Sequence, residues 1–368
     1  MITTIERGGA ELAVLALVKE LVKKGERVVL IPIKGEKELL RDLIEVGVEV
    51  ELTLLNRPFW RQLLLLINVI KLNRFDVLHA HLPRAELISR LALTFTKHVP
   101  FFITRHNAEP FLPTKNFLVS QLLSRWIVKR CHSVIAISNE VKDFLVENGE
   151  VTCLRKLTII RYGYQRKFAK STNQNENKLI PMTELQLVSI GRLVPQKNLT
   201  FAFRIVKSLK LSGVNVSLTI VGAGPLEYEL RKFASDLDLK NNICFFGRTD
   251  DVFKVFEGKD AFLMTSNYEG FGLAVLEAID YGLPVFAPNH SAFVEVLGVN
   301  NEGLYGANDL PEAVSKIRNF LVDKAFKSRL ITTQHLRLAE FTIREYRELH
   351  LRLYQASKEV ENANSTSS

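Results

Sequence analysis

Two acids, Glu269 and Glu277, stand in an E-x7-E pattern within TSNYEGFGLAVLEAIDYGLPVFAP (265–288), the stretch of the chain richest in chemistry. The run AFLMTS (261–266) reads as a buried strand, followed by a loop with Glu269, Gly270 and Gly272. GLAVLEAIDYG then reads as a helix carrying Glu277. Both acids therefore sit near one helix N-terminus. Its unpaired N–H groups and positive dipole suit a diphosphate, and carboxylates suit sugar hydroxyls, so the constellation fits a sugar nucleotide. In GRLVPQKN (191–198), Arg192 and Lys197 lie between a strand and a helix, where two cations can converge on one pyrophosphate. Taken alone they read as solvated loop charges. VGAGPLEYEL (221–230) places Gly222 and Gly224 where backbone can approach a ligand, although Glu227 stands in place of the third glycine of a dinucleotide fingerprint. RGGAEL (7–12) puts Gly8 and Gly9 where a strand turns into a helix, and His106 and Asn107 close the strand PFFITRH.

These residues need strand ends to hold them, and the chain supplies strands alternating with helices, the pattern of parallel sheets covered by helices. Strands are expected at 27–33, 48–55, 76–81, 100–106, 133–138 and 157–163, then at 185–191, 216–222, 243–247, 261–266 and 284–288. The fold class is α/β, with two Rossmann-like, doubly wound parallel-sheet domains facing across a cleft into which strand-end loops project. The first domain takes 1–164, a polar linker 165–183, and the second domain 184–340. A helix at 341–357 is expected to pack back on the first domain, with a disordered tail at 358–368.

A chain of 368 residues with 47% hydrophobic content has enough apolar material for two cores. Three scattered cysteines show no metal spacing and are too few to staple the chain, which points to a reducing cytosol. The longest apolar run, LLLLINVI (63–70), is too short to span a bilayer, and no secretory leader is read. The net charge of +9 comes without a nucleic-acid motif, so nucleic acid is not expected as a partner. An anionic inner-membrane surface or a phosphorylated acceptor is the alternative partner for a basic face. The segment RPFWRQLLLLINVIKLNR (57–74) could lie on it as an amphipathic helix, although a plain core helix is the simpler reading.

GGAE near the start, the H-x-H of DVLHAH, TRHN, GRLVPQKN, VGAGPL, FFGRTDD and above all EGFGLAVLEAIDYGLPV resemble, in this order, the retaining glycosyltransferases of family 4, which have the GT-B fold. The resemblance covers residues 1 to about 355. It implies transfer of a sugar from a nucleotide donor to a glycan or lipid-linked acceptor with retention, in polysaccharide or lipopolysaccharide synthesis, with no cofactor and no required metal. By resemblance, Arg192 and Lys197 neutralise the departing diphosphate, Glu277 binds the ribose hydroxyls, and Glu269 binds the donor sugar near the reacting carbon. Backbone N–H groups around Phe271, Gly272 and Leu273 hold phosphate or sugar, Gly8 and Gly9 let the first loop approach the diphosphate, and His106 matches a histidine close to the donor sugar. Backbone near Gly247 and Arg248 and around Gly222 and Gly224 is expected to hold the base. The chain departs from relatives in having only MITTIE before Arg7 where a full hydrophobic strand is usual, and in having Tyr162 where many carry asparagine.

Other readings compete. A glycoside hydrolase also uses two carboxylates but has no use for the Arg192 and Lys197 pair. A sugar-nucleotide epimerase, or a non-catalytic sugar-nucleotide-binding protein, would use the same fold and donor. His79 and His81 alternate on one strand as zinc ligands can, but lack a third ligand nearby and read as structural. Asp236 and Asp238 form a D-x-D at a helix end and read as surface.

Overall fold

A computed structural model describes residues 1–96, 99–112, 116–168 and 184–366. The chain divides into two compact units, Met1–Gly163 with Phe341–Ser368, and Tyr164–Glu340. Most of the expected linker, 169–183, lies outside the described residues.

The first unit holds a parallel sheet. Strands β1 (Val29–Leu30) and β2 (Glu49–Val50) pair with each other, and β3 (Leu78–His81), β4 (Phe101–Arg105), β5 (Ser133–Ala136) and β6 (Leu157–Ile159) pair in sequence order. The short opening segment joins the two sets. Ile2 bridges to Pro32 on one side and His81 on the other, with Ile2 N–H donating to Ile31 O at 3.1 Å and Thr3 N–H to His81 O at 3.3 Å. This short segment lies mid-sheet, paired on both sides, and leads directly to Gly8. The Met1 amine is buried, donates to His79 O at 2.6 Å, and is lowered by that burial to a pKa of about 5. Next to it is a cavity of about 280 Å³ lined by Val14, Leu17, Leu30, Leu78 and Tyr354.

Helices pack on this sheet through faces spaced at three and four residues. In α1 (Gly9–Lys23), Ala13, Val14, Leu17, Val18 and Leu21 are buried, and in α3 (Phe59–Leu72), Leu63, Leu66, Ile67 and Ile70 are buried. Helix α2 (Leu40–Glu45) precedes β2, while α4 (Pro83–Ala92), α5 (Phe117–Arg130) and α6 (Asn139–Glu147) cross between the later strands. The segment 57–74 thus is a core helix on its inner face. The last helix, α14 (Ile343–Thr366), packs on α1, where Arg347 Nη1 meets the buried Glu20 carboxylate at 3.0 Å. The helix runs on through Thr366 where a disordered tail was expected from 358. Its residues Lys358, Glu359, Glu361 and Ala363 are good helix formers, and no Gly or Pro interrupts them.

The second unit is a six-stranded parallel sheet in the order β12-β11-β10-β7-β8-β9. Its strands are β7 (Leu185–Ile190), β8 (Val216–Val221), β9 (Ile243–Gly247), β10 (Ala261–Leu263), β11 (Val285–Pro288) and the short β12 (Leu304–Tyr305), which the sequence reading omitted. Two buried residues give β12 no readable period. Sequence order reverses between β7 and β10, so the loops after those two strands flank the topological switch point, where open α/β sheets bind ligands. Helices α7 (Leu199–Leu211), α8 (Glu227–Asp236), α9 (Val252–Phe256), α10 (Leu273–Tyr281), α11 (Ser291–Leu297), α12 (Leu310–Val322) and α13 (Lys324–Arg337) cover it. Leu187, Leu218, Phe203, Ile205, Phe286 and Ile317 centre its core.

Candidate functional site

At the switch point of the second unit the two loops lock together. The turn Pro195–Lys197 receives Asn267 N–H on Gln196 O at 2.8 Å and the Thr265 hydroxyl on Lys197 O at 2.9 Å, and Gln196 Nε2 donates to Tyr268 O at 3.0 Å. This places the Lys197 ammonium against the Glu269 carboxylate, with both side chains largely buried. The Ser266 hydroxyl donates to the same Glu269 oxygen at 2.7 Å. A buried, hydrogen-bonded ion pair therefore stands at the strand ends, a cation and an anion side by side.

The other predicted residues surround this pair in different ways. Arg192 is in the same loop and its side chain is exposed. Phe271 is buried, and Gly272 at φ +92° is the N-cap of α10, a conformation that only glycine adopts cheaply. No side chain caps that helix, so N–H groups of its first turn near Leu273 face no cap. Gly222 and Gly224 also have a packing role that the sequence did not show. A Cβ at Gly222 would lie 2.0 Å from Gly191 O and one at Gly224 2.5 Å from Leu193 O, so both glycines admit the backbone of the neighbouring loop. Leu193 N–H donates to Ala223 O at 3.1 Å across that approach. Arg248 is exposed just past Gly247, at the end of β9.

Glu277 sits one turn into α10. Burial pushes its carboxyl up to about 7, with the Lys167 charge opposing. A raised acid works against folding once it ionises: the stability held below its unfolded pKa near 4.5 is lost as pH rises through 7. Glu277→Gln should accordingly leave stability nearly unchanged at pH 4 and raise it at pH 8 by on the order of 3 kcal/mol. Urea unfolding at the two pH values checks this.

The first unit brings a second group together at the ends of β3 and β4. His106 is buried, with Nδ1 bonded to the Tyr162 hydroxyl and Nε2 at 3.2 Å from His81 Nδ1. The His79 ring packs 4.1 Å from that of His81 and bonds Tyr354 OH at 2.6 Å and the Thr104 hydroxyl at 2.8 Å. Burial lowers His106 to about 3, so its ring is neutral at physiological pH. Burial first, then Tyr346 and Glu11, keep the Tyr162 hydroxyl protonated. Glu11, which accepts a hydrogen bond from the Thr4 hydroxyl, thus belongs with Gly8 and Gly9 to this corner. Sequence reading missed Tyr162, Glu11 and His290, whose Nε2 lies 3.1 Å from Ser266 O. The strand-end position of His290 after PVFAP was the available signal, whereas Tyr162 offered none. Among the described residues no group of three His, Cys, Asp or Glu side chains could hold a metal ion.

The description "Glycosyltransferase Family 4" matches residues 7–164 and "Glycosyl transferases group 1" matches residues 170–335. The chain belongs to the group 1, family 4 glycosyltransferases. Among relatives of this glycosyltransferase, the Escherichia coli UDP-Gal:alpha-D-GlcNAc-diphosphoundecaprenol alpha-1,3-galactosyltransferase is 27% identical over 241 residues, 62% of each chain. The Salmonella typhimurium O-antigen chain mannosyltransferase RfbU is 26% identical over 240 residues, 60% of this chain and 64% of its own. The chain thus matches less than two thirds of either relative's length. Anabaena HepE in complex with UDP-glucose superimposes with a TM-score of 0.81 at 18% identity, covering 97% of this chain and 98% of that one. The fold is GT-B, with two Rossmann-like units. Neither the family descriptions nor these relatives favour the epimerase or the non-catalytic sugar-nucleotide-binding alternative.

Proposed function

We propose that this glycosyltransferase moves a sugar from a nucleoside diphosphate sugar to a glycan or lipid-linked acceptor, with retention and without a metal, in the synthesis of an envelope polysaccharide. The Lys197–Glu269 pair at the switch point carries the reading. A sugar diphosphate places an anionic phosphate next to hydroxyls, and an ammonium beside a carboxylate offers a cation to the first and an acceptor to the second. In this reading Lys197, joined by Arg192, stabilises charge on the departing diphosphate, which needs no cofactor. Glu269 holds the sugar hydroxyls, and Glu277, once ionised, accepts from the ribose hydroxyls. N–H groups near Phe271, Gly272 and Leu273 hold phosphate. Backbone around Gly222, Gly224 and Arg248 borders the base. His106 of the first unit is a neutral hydrogen-bonding group rather than a cation. Names of relatives support the class of product: one uses a diphosphoundecaprenol acceptor and another builds an O-antigen chain. The complexes of HepE with UDP and UDP-glucose support a nucleotide-sugar donor.

The place of action is the cytoplasm, with a lipid-linked acceptor bringing the protein to the inner membrane face as a peripheral protein. No helix among the described residues is long and apolar enough to cross a membrane. Transfer assayed in EDTA, with the new anomeric centre read by proton NMR, tests this. The same anomeric configuration in donor and product is expected. An inverted product, or transfer that needs added metal, overturns the retaining or the metal-independent part.

A further inference from the structure

Helices α3 and α5 of the first unit, which both pack on α4, leave apolar side chains in water. On α3, Trp60 is 72% exposed and Leu64 63%, while Leu63, Leu66 and Ile67 of the same helix are buried. On α5, Leu118 is 66% exposed and Leu122 61%, with Phe117 and Val119 exposed beside them. Both rows follow helical spacing, and helix α4 packs against both α3 and α5. Cations share these faces: Arg61 and Lys71 are exposed along α3, with Arg57 exposed just before it, and Arg125 and Lys129 along α5. Acids do not. From Arg57 to Arg74 and from Asn116 to His132 the sequence has no Asp or Glu.

Protein-binding patches concentrate apolar residues in a core depleted of charge. Here lysines and arginines alternate with Trp and Leu along both helices, as in helices that lie in the headgroup region with the apolar side toward the acyl chains. Tryptophan favours that depth. We propose that the outer faces of α3 and α5 form one docking surface for an anionic lipid bilayer, with Trp60, Leu64, Leu118 and Leu122 entering the boundary and the cations meeting lipid phosphates. The surface deepens the lipid-linked acceptor reading and rests on it for its purpose. The segment 57–74 supplies only half of it, and α5, which has no marked amphipathic signal in its sequence because its inner face buries Ser120 and Ser124, supplies the rest.

Cosedimentation with vesicles tests the proposal, comparing phosphatidylcholine alone with its mixture with phosphatidylglycerol, at low and high salt. The full chain is expected to pellet with the mixed vesicles at low salt and to stay in solution with phosphatidylcholine. The double variants Trp60→Glu/Leu64→Glu and Leu118→Glu/Leu122→Glu should each lower partition by roughly tenfold or more. All four positions are exposed, so both variants should keep the wild-type Tm and its rise with nucleotide. Wild type remaining in solution with mixed vesicles, or both variants pelleting like wild type, overturns the proposal. So would variants that change oligomeric state in size-exclusion chromatography without changing partition, since the face would then meet a second copy. Lipid binding without any nucleotide effect would leave this surface standing and remove the transferase reading.

Discussion

Lys197→Ala should lower kcat by roughly 10²–10³, the usual loss when one fixed group stabilising a developing anion is removed. It should also destabilise the second unit. Glu269 is buried and would keep only the Ser266 hydroxyl as partner, and breaking a buried pair on one side costs about 3–5 kcal/mol. The two effects separate in a double variant. Lys197→Met/Glu269→Gln removes both charges from the buried site, which is often close to neutral for stability. Its Tm should therefore return most of the way to wild type while kcat stays depressed. A double variant with wild-type activity would show that the pair is structural only.

Arg105→Ala should be the most destabilising single change in the first unit. Its guanidinium lies 2.9 Å from Glu150 and 3.1 Å from Glu86, donates to Ser124 at 2.9 Å, and sits over the Phe111 ring at 4.8 Å. Both carboxylates are almost wholly buried, and Glu150 also accepts the Phe111 N–H at 3.3 Å. Without Arg105 two buried acids would face each other uncompensated, a loss of about 3–5 kcal/mol and roughly 10 °C in Tm. Burial already holds Glu86 at about 7, with Arg105 opposing the rise. Removing Arg105 should push Glu86 higher, so the deficit should shrink as pH falls from 8 toward 5 and Glu86 protonates. Thermal unfolding across that range checks it, and a deficit that grows toward acid would contradict the account. Because Arg105 precedes His106 and anchors the following loop through Glu150 and Phe111, activity should fall with it.

What was legible in the sequence was what repeats. Strand runs such as LQLVSIG and VSLTIVG carry β-branched and apolar residues bounded by glycine, and eleven strands so marked were expected where the sheets now have them. Arg192, Lys197 and Glu269 were legible because polar residues at strand ends have no packing reason to be there. Contacts made across long sequence separations were not legible. Lys197 and Glu269 look like separate ligands in the sequence but are a pair in the structure, because only the order of β7 and β10 brings their loops together. His106 looked like a single group and is instead bonded at both nitrogens, to His81 and Tyr162. Gly222 and Gly224 were read as space for a ligand, although that space admits Gly191 and Leu193.

The most direct test of a sugar-nucleotide site in the second unit is a thermal shift in EDTA with UDP, GDP, ADP and their sugar conjugates. One base is expected to raise Tm, by about 2.7 kcal/mol of stabilisation at 100 times its Kd, and the rise should vanish in Arg192→Ala/Glu277→Ala. No rise with any nucleotide, or a rise that survives in that variant, would contradict the account.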